Sequence, residues 1–129
     1  GQLLKDGYNN LAKLYGLTEF TQCVGYPCRT IVTFDGRGRF DVLEMKSYFQ
    51  QEMLRRGVLW AAYHALSWSH TDAMITGTLN AFEDTMKLFK GIVDSNHQLR
   101  PHIEGRPVEP VFRKVADFNS YINQGGKVD

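Results

Sequence analysis

The stretch from Phe49 to Phe82, FQQEMLRRGVLWAAYHALSWSHTDAMITGTLNAF, decides the fold. It reads as a helix, a short strand, an irregular loop and a long helix. The first helix stops at Gly57, a residue free to take a left-handed cap, and Arg55 and Arg56 put cations at the negative end of its dipole. At the other end Thr71 offers an N-cap oxygen and Asp72 a first-turn carboxylate. Apolar side chains follow at 75, 79, 82, 86, 89 and 93, an alternating i+4 and i+3 spacing that lays them along one stripe. Such a stripe needs an apolar surface to pack on.

That surface is found upstream. Asp41 reads as the N-cap of a helix carrying Val42, Met45, Phe49 and Met53 on one face, with Tyr48 beside them and the methionines as core filler. Before it, Phe20 to Phe34, FTQCVGYPCRTIVTF, is rich in β-branched and aromatic residues and is broken by Gly25 and Pro27. It predicts two strands or one interrupted strand, with Pro27 confined to an edge or an end because it cannot donate to a ladder. Asp35 to Gly38 make a polar turn. Arg29, Arg37 and Arg39 read as solvated charges, since neither a P-loop nor a dinucleotide glycine pattern accompanies them.

At the start, Leu4, Tyr8, Leu11 and Tyr15 fall at helical spacing and close on Gly16. No capping residue precedes that helix, which predicts a chain cut from something larger. Gly57 to Ala61 is short and apolar and predicts a buried strand. The period-two alternation of Ala65 to Trp68 predicts another. After Asp94 the chain holds three of its four prolines, Pro101, Pro107 and Pro110, and reads as a tail lying over a surface. The expected fold is therefore α+β: a small antiparallel or mixed sheet of three to four strands, covered on one face by helices near 41–56 and 71–93.

Composition narrows the function classes. The 129 residues suffice for one domain with a real core. With 15 Lys and Arg against 14 Asp and Glu, there is no electrostatic case for nucleic acid or an anionic membrane as partner. No run approaches the roughly 20 apolar residues of a membrane helix, and the opening GQLLKDGYNN lacks the marks of a signal peptide. The two cysteines, Cys23 and Cys28, form neither a disulfide framework nor a zinc pattern. They read as reduced thiols of a cytoplasmic protein.

Among the histidines, His64 lies in the loop between apolar segments, where it serves as a general base, a substrate contact or a structural residue. His70 precedes Thr71 and reads as helping to finish the helix N-terminus. His97 and His102 stand five apart with no acidic or thiol partner at metal spacing, so no metal site is expected. No nucleophile elbow, paired-carboxylate signature or Gly-rich phosphate cradle is present.

Several motifs in order carry a resemblance. FQQEMLRRGVLW, the loop with His64, SHTDAMITGTLNAF and GRPVEPVFRKV together look like the C-terminal part of class III, fold-type I aminotransferases dependent on pyridoxal 5'-phosphate, resembling the glutamate-1-semialdehyde 2,1-aminomutase group. The resemblance covers residues 3 to 113. It implies a small C-terminal domain over 1–113 and a tail over 114–129. It implies that the cofactor, the Schiff-base lysine and most phosphate contacts belong to a large domain of the same polypeptide, that the full-length enzyme is a homodimer, and that this fragment alone is inactive. Lys46, Lys87 and Lys90 are then solvated helix residues and no residue here is catalytic. What it leaves to this domain is closing over the active site, with Ala62, Tyr63 and His64 in the loop and Arg113 in the tail as substrate contacts. The chain departs from the pattern at Ala61 and Ala62, where relatives carry more polar or Pro/Gly-rich residues. Two other classes remain open from the residues alone: a free-standing α+β ligand-binding or regulatory module, and an interaction protein that uses the long helix as its face.

Overall fold

The computed structural model describes residues 1–109. Helix α1 spans Gln2–Leu14, strands β1 and β2 span Thr21–Tyr26 and Arg29–Phe34, helix α2 spans Val42–Arg55, strand β3 spans Tyr63–Ala65 and helix α3 spans Asp72–Asp94. A single 3-10 turn follows at Arg100–His102. The sheet is antiparallel in the order β1-β2-β3, with Cys23 opposite Val32 and Thr30 opposite His64. Among the described residues the architecture is α+β, three strands and three helices.

Alternation along the strands gives the sheet one dry face. Thr21, Cys23, Thr30, Val32 and His64 are buried, while Val24, Ile31 and Tyr63 remain exposed on the other side. The helices pack on the dry face, α1 against β1 and α2 against β2, and α3 lies along both α1 and α2. Phe82 of α3 is fully buried against Tyr8, Trp60 and His64, with ring centroids at 4.8, 5.4 and 5.6 Å. A second aromatic group joins Phe20, Phe40, Tyr48 and Phe49 around Phe89.

The local signals act as their chemistry requires. The Asp41 carboxylate accepts from Leu43 N and Glu44 N, and Thr71 Oγ1 accepts from Met74 N. Gly57 takes φ 79° after α2. The expected stripe of α3 is buried at Ile75, Phe82, Met86 and Phe89, and half-buried at Leu79 and Val93. Leu79 presses on Gly7 of α1, where an added Cβ would come within 2.7 Å of its methyl carbons. This glycine permits the α1–α3 approach.

The free edge of β1 is closed by a side chain. Asn9 Nδ2 donates to Cys23 O at 2.9 Å and Asn9 Oδ1 accepts from Cys23 N at 2.8 Å, so the carboxamide imitates a neighbouring strand. No pattern in the sequence announces that pairing.

Four expectations need correction. Gly57 to Ala61 is not a strand: after Val58 N closes back onto Met53 O, the chain runs irregularly until Ala62, whose φ of 68° breaks any extended run. The apolar pattern there reports burial of Trp60, not pairing. The strand expected at Ala65 to Trp68 lies instead at Tyr63–Ala65, because Leu66 N donates to Cys28 O and a turn at Ser67 to His70 then carries the chain away. Arg39, although exposed, is more than a solvated charge; its guanidinium donates to Ile92 O and Val93 O at 3.1 and 2.8 Å and caps the C-terminal carbonyls of α3. Nor does the chain after Asp94 merely lie on a surface, for Leu99 and Ile103 are buried in the core. Gln51 straps this segment to α2, donating to His102 O and accepting from Glu104 N. The boundary expected between 113 and 114 lies outside the described residues.

Candidate functional site

Between the Val58 to Leu66 segment and the first turns of α3 lies a cavity of about 360 Å³, within the roughly 300–1,000 Å³ range of small-molecule sites. Trp60, His64 and Ile75 form its inner wall, and exposed Leu59 and Met74 stand at its mouth. Among the described residues no Asp, Glu, Lys or Arg lines it.

His64 is the polar centre of this wall. Its place in β3 turns the imidazole inward, leaving it 8% exposed. Nδ1 lies 2.9 Å from Thr30 Oγ1, the hydroxyl of its cross-strand neighbour. The ring packs against Trp60 and Phe82. Burial penalises the imidazolium and pushes its pKa down to about 4, so the side chain is neutral at pH 7. Its Nε2 has no hydrogen-bond partner among the described residues, and neither has Trp60 Nε1. Two residues of this wall thus each carry a buried polar atom without a partner among the described residues, beside a non-glycine residue at positive φ, which marks the segment as strained and under-satisfied.

Tyr63 and His64 were expected to act together, but adjacent residues of a strand face opposite ways. Both border the cavity, yet Tyr63 is half-exposed on the outer face of the sheet, with the Arg29 guanidinium carbon 5.9 Å from its ring centroid. The third expected contact, Arg113, lies outside the described residues. His70 does not cap α3. Its Nδ1 accepts from Ser67 N at 3.1 Å and tightens the preceding turn, while Thr71 provides the cap.

The sequence reading missed Trp60 and Thr30. Trp60 was hidden inside an apolar run, although a tryptophan carries an N–H that burial must satisfy. Thr30 could have been found from the strand alternation that places it inward with Val32, but its pairing to His64 is 34 residues long-range.

The groups here do not fit pyridoxal phosphate as an internal aldimine. That linkage needs a lysine that has lost its proton, which burial or a neighbouring cation achieves. Among the described residues no lysine is buried. Lys87 goes the other way: its hydrogen bond to Glu83 raises its pKa and holds the proton. Among the described residues no cluster of three or more His, Cys, Asp or Glu could hold a metal ion, and His97 and His102 merely stack, 6.4 Å between centroids. No described helix is long and apolar enough to cross a membrane. Comparison of the chain with family models, with curated proteins and with solved structures returned no match.

Proposed function

We propose that this chain is the small C-terminal domain of a class III pyridoxal-phosphate-dependent aminotransferase or aminomutase, similar to glutamate-1-semialdehyde 2,1-aminomutase, and that it closes over an active site built by a large domain of the same polypeptide. The ordered motifs from Phe49 to Val115 first suggest it. The observation that carries it is the open face of the sheet. Val24, Ile31 and Tyr63 stand in one cross-strand row, Val24 opposite Ile31 and Ile31 opposite Tyr63, and all three are exposed. An apolar row of this kind on an otherwise two-layered domain is suited to being covered by a neighbouring domain.

In this reading the cofactor, when bound by the large domain, supplies the electron sink for amino-group chemistry. The residues here exclude water and shape the approach to the site. Tyr63 faces the large domain, and His64 holds the strand that presents Tyr63. Arg113 is the proposed carboxylate contact in the tail. The full-length enzyme is proposed to act in the cytoplasm as a homodimer.

Two measurements test this. The gene product extended upstream of Gly1 should bind pyridoxal phosphate, show its visible absorbance and transfer amino groups. The 129-residue chain mixed with the cofactor and reduced with borohydride should show no stoichiometrically labelled lysine. A reading frame with no large domain upstream of Gly1, or labelling of one lysine with amino transfer to a keto acid, would overturn the proposal. The free-standing ligand-binding module is the second reading, and the cavity beside His64 is the observation in its favour.

A further inference from the structure

We propose that the cavity beside His64 is a binding site, complete within this chain, for an uncharged small molecule with an apolar ring or chain and one hydroxyl or carbonyl oxygen, the oxygen engaging Trp60 Nε1 and His64 Nε2. The inference does not depend on the transferase reading and concerns a property of this chain alone.

The walls define the ligand's charge. Among the described residues no Asp, Glu, Lys or Arg lines the cavity, and the second histidine of the lining, His70, already accepts from Ser67 N through Nδ1, so a carboxylate, phosphate or ammonium inside it would lose hydration with no fixed counter-charge to replace it. His64 offers none, because burial keeps the imidazole neutral at pH 7. Leu4 and Ile75 within and Leu59 and Met74 at the mouth give the lining an apolar part that suits a ring or short chain, while Tyr63, His70 and Thr78 add polar groups.

The unmet polar atoms define the oxygen. Trp60 Nε1–H can only donate. His64 Nε2 is an acceptor if the ring proton sits on Nδ1 facing Thr30, and a donor if Thr30 gives its hydroxyl proton to Nδ1. In the first tautomer a hydroxyl meets both atoms, accepting from Trp60 and donating to His64. In the second a carbonyl oxygen accepts from both. Either is a neutral oxygen.

Both atoms are sealed from solvent, so entry requires the Val58 to Ala62 segment to shift. Its backbone is lightly held, with the Trp60 ring packed on Phe34 and Phe82 as its anchor: among the described residues, Leu59, Trp60 and Ala61 make no backbone–backbone hydrogen bond, and its far end is tied by Val32 N to Ala62 O. Ala62 already sits at φ 68°, a strained conformation for a residue with a Cβ. A bound oxygen would repay two buried polar atoms that the closed form leaves without partners.

The test uses the ¹⁵N-labelled 129-residue chain and three probes: benzyl alcohol, toluene and benzoate. Trp60 and Trp68 give two indole N–H resonances, and Trp68→Phe, at a fully exposed position, assigns them. Benzyl alcohol should shift the Trp60 resonance downfield and saturate. Benzoate should bind at least about tenfold more weakly, for want of a counter-charge. Trp60→Phe, followed through the backbone amide resonances of Tyr63 to Ala65, should weaken benzyl alcohol about fivefold, the scale of one hydrogen bond, and leave toluene nearly unchanged. The proposal is overturned by a non-saturable benzyl alcohol response, by benzoate binding as tightly, or by toluene matching benzyl alcohol. The probe comparison in the unaltered chain decides the matter even if Trp60→Phe fails to fold.

Discussion

Tyr8 and Phe82 meet edge to face, with ring centroids 4.8 Å apart and planes at 85°, and this contact joins the N-terminal helix to the middle of the longest one. Both rings are fully buried, and Phe82 also carries Trp60 and His64 on its other side. The candidate site therefore rests on the same ring that holds α1 to α3.

Phe82→Ala is expected to destabilise the domain by roughly 3–5 kcal/mol, the usual cost of emptying a buried aromatic site. Urea unfolding measures it. A loss below about 1 kcal/mol would mean that the ring packs against nothing that resists its removal.

Tyr8→Phe isolates a hydrogen bond. Thr21 Oγ1 donates to Thr33 O at 3.0 Å, so its contact with Tyr8 at 2.6 Å has the phenol as donor. Burial raises the Tyr8 pKa far above its ordinary value, which keeps that proton in place. The substitution keeps the ring and is expected to cost about 1–2 kcal/mol. A variant as stable as the original would show that the buried hydroxyl contributes nothing net.

Glu52 sets an acid limit. It is almost wholly buried, which by itself raises its pKa, but hydrogen bonds from Arg56 and Gln51 and the charge of Arg55 outweigh burial and leave the pKa lowered. Below the ordinary carboxylate range the unfolded chain takes up a proton that the folded chain does not. The stabilisation is thus complete above that range and is lost as pH falls through the folded-state pKa. Glu52→Gln should unfold more easily in urea at pH 7, and its stability should fall less steeply than the parent's below about pH 4.5. Parallel pH profiles for the two proteins would refute this account.

His64 acts in a higher window. Its pKa falls from 6.5 to about 4 on folding, so the neutral form is the folded one. Its contribution is fully present above the unfolded value and declines as pH drops from 6.5 towards 4, at about 1.4 kcal/mol per pKa unit separating the two states. His64→Gln should remove that part of the pH dependence. An NMR titration placing the His64 pKa near 6.5 in the folded protein would contradict the burial described here.

Local chemistry was legible in the sequence. Asp41 and Thr71 cap helices because a cap needs only a short side chain and amides two or three residues on. The stripe of α3 and, apart from Val42, which is exposed, that of α2 followed from 3.6-residue spacing, and the α+β class from those stripes together with the β-rich run before Phe34. At the site, the sequence singled out His64 and placed it near the right segment. It put strands at Gly57 to Ala61 and Ala65 to Trp68 and a loop at His64, whereas the strand is Tyr63–Ala65, because pairing depends on a distant strand and not on local apolar pattern.

What the sequence by itself determined is therefore the set of helices, their caps, their apolar faces and the near balance of charge that leaves no bias towards an anionic partner. Only the tertiary structure decided which way each neighbour turns. It put Tyr63 outside and His64 inside, set Thr30 against the imidazole, left Trp60 Nε1 and His64 Nε2 without partners among the described residues, and turned Arg39 onto the end of α3. The physical reason is distance along the chain: these relations join residues 34 or more positions apart or depend on strand register, and a register shifted by one residue reverses the face of every side chain it carries.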